Sequence, residues 1–311
     1  MTRRSSDRGF ALISVLWILV GISALAMMAG LAGREAVASA RNRADLADAA
    51  WRAEGCLERA RAAISRALKE ARDDGPGGGT WGRMDRVVAE SPLLAGSGCD
   101  VAMLAAGAAL DVNAAPDDAI HRALTAHGVT AARADSLVDA LADWRDADDL
   151  PRARGAERAW YAANRRPAPR DGPVADGREI ARVRGFDGVP DLGGILSTEP
   201  GRVPLGHAPP AVLASLPGFS PEAVARVVEM RGRGQVAGDL AAIPGALSPG
   251  ARDALLRRFN EFVAAATAEP EAWIARARAG VGTPPAVSVV EVRLVRGGER
   301  AAIVRRKTWT E

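Results

Sequence analysis

The chain has 311 residues, enough for about two domains, and its 48% hydrophobic and 25% charged residues exclude bulk disorder. Lys+Arg of 41 against Asp+Glu of 38 leaves a net charge of only +3, so a sequence pI of 9.3 is no argument for nucleic acid. Two cysteines and three histidines argue against a Cys/His metal cluster.

From Phe10 to Ala32 the chain carries no charge, which is long enough to cross a bilayer as a helix. Arg3, Arg4 and Arg8 precede this run and place the N-terminus on the cytoplasmic side, with everything after Ala32 outside. A cleaved signal peptide ending at Ala38-Ser39-Ala40 is the other reading. Against it, the run is longer than a signal's apolar region, and Arg34 and Glu35 intervene. The helix is expected to continue from Arg34 to Arg72, since Gly55 is the one internal glycine and no proline occurs before Asp73 to Gly79. Leu46, Ala50, Ala53, Leu57, Ala60, Ile64 and Leu68 make one apolar stripe along it.

Short strands are expected over Trp81–Val88, Cys99–Leu104 and Ala109–Asn113, and a hairpin from Val287–Val295 and Ala301–Val304 around Gly297-Gly298. Between them, about Ala115 to Phe262 reads as almost wholly helical, a domain inserted between the strands. Leu213 to Arg231, broken by Pro217-Gly218, resembles a helix-hairpin-helix unit, with looser echoes around Gly128, Gly185 and Pro244-Gly245. Such units can bind DNA phosphates. Here Asp111 to Tyr161 holds ten acids against six arginines, which argues against nucleic acid and for hairpins used as packing units.

Asp143-Trp144-Arg145-Asp146-Ala147-Asp148-Asp149, followed by Glu157 and Tyr161, concentrates carboxylates where a helix gives way to a loop. Hard oxygens in a small space suit calcium. A solvated acidic loop paired with Arg145, Arg152 and Arg154 accounts for them equally well on these residues alone. Cys56 on the long helix and Cys99 before a strand could bridge in an oxidising compartment or remain buried thiols. His121, His127 and His207 are scattered, and no nucleophile, phosphate-loop or metalloprotease motif is found, so no catalytic residue is expected.

The leader ending Arg8-Gly9, followed at once by Phe10 and the apolar helix, resembles that of type IV pilins and type II secretion pseudopilins. The resemblance implies cleavage between Gly9 and Phe10 by a prepilin peptidase and N-methylation of Phe10. Those proteins usually carry a glutamate where this chain has Ser14. An absent carboxylate there, and a large helical insert, resemble the K-type minor pseudopilin. The D-W-x-D-x-D…G-x-E…Y string and Glu179-Ile180 to Gly185 are similar to that family's calcium-binding segment and the short helix after it. The resemblance thereby implies Asp143, Asp146, Asp148, Asp149 and Glu157 as ligands of a structural Ca²⁺, Asp143 being a helical position that could point away. Leu110 to Ala114 also matches, whereas Val203 to Pro209 stands where the family has an Asn-rich stretch.

The resulting expectation is an α+β, pilin-like fold: a long N-terminal helix on a small antiparallel sheet, carrying an inserted all-α helix-hairpin-helix or SAM-like domain. Its parts are a leader (1–9), a transmembrane helix (10–32), a pilin-like helix and first strands (33–114), the insert (115–265) and final strands (266–311). The resemblance implies a non-enzymatic subunit of the inner membrane, its main domain periplasmic, capping a pseudopilus tip and initiating assembly. Implied partners are I-type and J-type minor pseudopilins, other pseudopilins, the prepilin peptidase and membrane lipid. The alternatives are a membrane-anchored DNA receptor of the competence type and a type IV pilus minor pilin.

Overall fold

The computed structural model describes residues 7–71, 79–235 and 239–311, with side chains from Ile13 onward. Arg3, Arg4 and most of the break at Asp73 to Gly79 lie outside the described residues, and Gly9 and Phe10 are described only as helical backbone.

Helix α1 (Asp7–Glu70) is one uninterrupted element of 64 residues. Its apolar window has a mean hydropathy of 2.3 and none of it is buried within the molecule. Long enough and apolar enough to cross a membrane, it reaches protein contacts only at its far end. There Ala49, Ala53, Cys56, Leu57, Ala60, Ile64 and Leu68 are buried. The expected stripe is shifted at its start, since Ala50 is exposed and Ala49 takes the inward position. Alanine at alternate turns lets the helix lie close to the sheet beneath.

That sheet has four strands in the order β1 (Asp100–Ala105), β6 (Ala272–Val281), β7 (Ala286–Gly297), β8 (Arg300–Thr310), all antiparallel. The period of two along a strand puts Trp273, Ala275 and Ala277 of β6, and Val290, Val292 and Leu294 of β7, into the core under α1. Arg276 and Arg278 alternate with them and pair with Glu291 and Glu311.

Residues 81–88 are not a strand. They form a 3-10 turn (Thr80–Arg83) and helix α2 (Met84–Ala89). Trp81, Met84 and Val88, spaced three and four apart, are the buried side chains, so helical periodicity outweighs the β-branched Val87-Val88 pair. The Trp81 indole donates to the Pro270 carbonyl at 2.8 Å and the Trp273 indole to the Trp81 carbonyl at 2.9 Å, locking this turn onto β6. Cys56 and Cys99 are joined in a disulfide, with Cα atoms 5.3 Å apart, tying α1 to the segment entering β1.

The insert begins just after β1. Gly107 has φ +80°, and a β-carbon there would stand 2.1 Å from the Arg202 carbonyl oxygen, so the chain leaves the sheet through a contact only glycine allows. Helices α3 (Asp117–Ala126) and α4 (Ala131–Arg145) pack around Ile120, Leu124, Leu137 and Leu141. Two short parallel pairs interrupt the helical character: β2 (Leu110–Asp111) with β3 (Leu196–Ser197), and β4 (Val203–Pro204) with β5 (Ala266–Thr267). Leu110, Val112 and Ala266 belong to the insert's core, so that core already begins before Ala115.

Helical periodicity overstates the middle of the insert. Between Asp146 and Pro209 the described α-helix is α5 (Arg158–Ala163), accompanied by 3-10 turns at Gly177–Arg182, Phe186–Gly188 and Leu192–Gly194. Pro151, Pro167, Pro169, Pro173, Pro190 and Pro200 remove helical donors through this stretch.

The helix-hairpin-helix is present as α6 (Pro210–Leu213) and α7 (Pro221–Gly232), the latter capped by Ser220, whose side chain accepts from the Ala223 N–H at 3.2 Å. Gly218 between them has φ +73°, and a β-carbon would lie 2.9 Å from the Ala254 carbonyl oxygen of α8 (Pro249–Arg257). Phe219 stacks on Phe262 of α9 (Phe259–Ala265) at 5.2 Å. Arg231 is spent internally, donating to the Leu205 and Ala208 carbonyls, and burial lowers its pKa to about 10. The turn is a packing device.

Candidate metal centre

The last turn of α4 brings Asp143 inward, and its carboxylate is wholly buried. It is held by the Arg152 N–H, 3.2 Å from both oxygens. The chain returns at Gly155, where a β-carbon would stand 1.9 Å from Asp143 Oδ2, so only glycine closes the loop. Asp146 caps the C-terminus of α4, its N–H bonded to the Ala142 carbonyl at 3.0 Å, and Glu157 occupies the N-cap of α5.

These turns bring Asp143, Asp146 and Glu157 together, with one carboxylate oxygen from each within 4.8 Å of the others. Oδ1 of Asp146 and both carboxylate oxygens of Glu157 are buried without a hydrogen-bond partner. Unpaired buried charge of this kind is costly. Desolvation, followed by the Asp143, Asp146, Asp149 and Asp171 charges, raises Glu157 to about 7. Burial likewise pushes Asp143 and Asp146 upward, with a neighbouring carboxylate adding to each.

Asp148 and Asp149 stand further out. Asp148 accepts the Leu150 N–H at 2.9 Å, and the largely exposed Asp149 faces Arg158 at 3.6 Å. A residue that sequence reasoning missed is Asp171, which lies beyond the acidic string and adopts φ 54°, a conformation aspartate tolerates. One of its oxygens pairs with Arg158, the other is buried and unpartnered, and its charge raises Asp146 and Glu157.

The arginines that could have neutralised the cluster are engaged elsewhere. Arg145 and Arg152 meet Asp117 at 3.3 and 2.9 Å, and Arg154 meets Asp135 at 2.5 Å. The Arg152 guanidinium approaches Asp143 only at 3.9 Å. Aromatic residues frame the site. Trp144 and Tyr161 meet edge to face at 5.2 Å, the Trp144 indole donates to Glu179 at 2.9 Å, and the Tyr161 hydroxyl accepts the Arg184 N–H at 3.0 Å. The Arg184 guanidinium donates to the Gly155 carbonyl at 2.7 Å, fixing the glycine beneath Asp143. Trp144, Glu179 and Tyr161 thus serve as scaffold. The donors are all hard oxygens, which suits a hard cation such as calcium better than a soft metal.

The histidines lie apart from this cluster and from one another. His121 contacts Asp135 at 3.1 Å, His127 lies 2.9 Å from the Pro190 carbonyl, and His207 packs edge-on to Trp273.

A helix long and apolar enough to cross a membrane, whose far end lies on an antiparallel sheet, with a helical domain spliced between the first strand and the rest, is a pilin-like arrangement. Residues 99–189, which include the acidic cluster, match the sequence model of the type II secretion system protein K family. The match spans under a third of the chain, and over it the chain is similar to that family. Its fold is similar to that of a chain in the crystal structure of the GspK-GspI-GspJ complex from the enterotoxigenic Escherichia coli type 2 secretion system. The match has a TM-score of 0.61 at 16% identity and covers 87% of this chain and 99% of that one. None of the curated proteins compared with the chain matches it.

Proposed function

We propose that this chain is a minor pseudopilin of a type II secretion system that caps the periplasmic tip of the pseudopilus and helps to initiate its assembly together with I-type and J-type minor pseudopilins. The observation that carries the tip placement is Ser14, on the apolar stretch of α1, where pilin-like subunits usually carry a glutamate. In a growing pilus that carboxylate would neutralise the N-terminal ammonium of a neighbour, and an unpartnered ion in lipid is costly. A subunit without it suits the end, where no subunit sits ahead. The bulky insert suits the same place, and the similarity to a chain solved in a complex of GspK, GspI and GspJ supports the choice of partners. The N-terminus faces the cytoplasm, cleavage falls between Gly9 and Phe10, and Phe10 is N-methylated before assembly.

Asp143, Asp146 and Glu157 would hold a structural Ca²⁺, with Asp148, Asp149 and Asp171 around it. The ion would supply the positive charge that the buried oxygens lack and would pin the end of α4 to the start of α5. The chain's own residues do the rest: Gly155 makes room for the Asp143 carboxylate, and Arg184 and Trp144 hold the frame.

Deleting the gene in its own bacterium and restoring it in trans tests the assignment. Loss and recovery of type II export, with a mature N-terminus at methylated Phe10 by mass spectrometry, are the expected results. Unchanged export would overturn it.

A further inference from the structure

Among the described residues, the apolar core of the insert and the core under α1 have no member in common. Charges and rings join the two bodies instead. Arg202 meets Glu271, just before β6, at 2.8 Å, Arg178 lies over Trp309 of β8 at 5.5 Å, and His207 packs edge-on to Trp273. The most connected of these contacts belongs to residues 198–202, which leave the insert between β3 and β4 and pass over the face of the sheet opposite α1.

Val292 and Leu294 point into the core under α1, so Arg293 between them points the other way, and Arg305 of β8 is its cross-strand partner. Lys307 stands two residues along β8 on the same face. Glu199 collects all three cations. One of its oxygens pairs with Arg305 and lies 3.9 Å from Lys307, and the other, buried without a hydrogen-bond partner, lies 3.5 Å from Arg293. Glu291, the neighbouring acid on this face, is committed to Arg276 at 2.8 Å. The Pro200 carbonyl accepts from Arg293 at 2.9 Å. Gly201 then fits against the end of β1, where a β-carbon would stand 3.0 Å from the Ala106 carbonyl carbon and the Gly107 nitrogen. Shape holds one end of the segment and charge the other. Like charges directly opposite on adjacent strands repel. Arg293 and Arg305 are such a pair, and the Glu199 carboxylate, with its side chain only 17% exposed, is what makes their juxtaposition favourable.

We infer that residues 198–202 are an ionic strap: Glu199 holds the insert against the sheet, and when that contact breaks the insert tilts about Gly107 and Gly201 while both cores stay folded. Repulsion between Arg293 and Arg305 drives the opening, which bares Ile274, buried beside Arg293 on that face. This device does not depend on the pseudopilin reading.

The test measures the distance between spin labels on the full chain in detergent, attached through Ala62→Cys on α1 and Asp253→Cys on α8, both exposed positions. Labelling is selective because Cys56 and Cys99 are bridged. The parent should give one narrow distance. Glu199→Gln should add a second, its population raised about tenfold by the loss of a charged hydrogen bond. Glu199→Gln/Arg305→Gln should return towards the first distance, since the facing cations are gone. A single unchanged distance in Glu199→Gln would overturn the strap, as would a double variant that opens further than Glu199→Gln alone. Loss of any resolved distance, through unfolding of the insert, would also overturn it, because both cores must outlast the contact.

Discussion

Gly155 lies directly against Asp143, where a β-carbon would stand 1.9 Å from Oδ2. The contact joins the end of α4 to the loop that delivers Glu157, so it sets the geometry of the whole cluster. Gly155→Ala should displace the buried carboxylate, cost about 2 kcal/mol or more and abolish any rise in melting temperature on adding calcium. Thermal denaturation with calcium and with EDTA measures both effects.

Asp146→Asn separates a metal ligand from an ordinary ion-pair member. Asp146 has an unpartnered buried oxygen and a pKa raised by burial and by Asp148, so its charge is a burden without metal. In EDTA the variant should melt no lower than the parent. In calcium it should lose the stabilisation that saturation confers, about 2.7 kcal/mol at a hundredfold excess over Kd. A variant destabilised equally in both conditions would remove Asp146 from the site.

Glu157 makes the metal-free protein sensitive to pH. Its carboxyl titrates at about 7 when folded, against 4.5 when free. A pKa raised by folding favours the folded state below the unfolded value, and that contribution is lost as pH rises through about 7. In EDTA the melting temperature should therefore carry a downward component between pH 5 and pH 8 that Glu157→Gln removes. Calcium must displace the same proton, so its apparent affinity should rise over the same interval. Titration calorimetry at the two ends of the range gives the sign.

The Cys56–Cys99 bridge closes a loop across a sequence separation of 43, worth about 4 kcal/mol on the chain-entropy account. Cys56→Ser/Cys99→Ser should lower the denaturant midpoint of the oxidised protein, and dithiothreitol should have no further effect on the variant. An unchanged midpoint would assign the stability of this corner to packing alone.

What the sequence made legible depended on whether a signal was local. The uninterrupted run through α1 and its inward stripe required only regular spacing, as did the β7–β8 hairpin around Gly297-Gly298. Strand β6 was hidden because Ala-Trp-Ile-Ala-Arg-Ala-Arg-Ala has the composition of a helix, and its period of two becomes decisive only beneath α1. Residues 81–88 failed in the opposite direction, a valine pair masking the helical spacing of Trp81, Met84 and Val88. In the acidic cluster, the string marked the place but not the direction of each side chain. Adjacent Asp148 and Asp149 point outward, while Glu157 returns through the Gly155 turn. Asp171 arrives from a proline-rich loop with no pattern linking it to the string, so only the fold reveals it.

The central claim is that this chain works at a pseudopilus tip with two other minor pseudopilins. The most direct measurement is purification of the full chain from membranes that also contain the I-type and J-type pseudopilins of its own secretion system, with mass determination of the complex. The account predicts a complex with one copy of each subunit. A chain that purifies alone or only with copies of itself, while the other two pair normally, would contradict it.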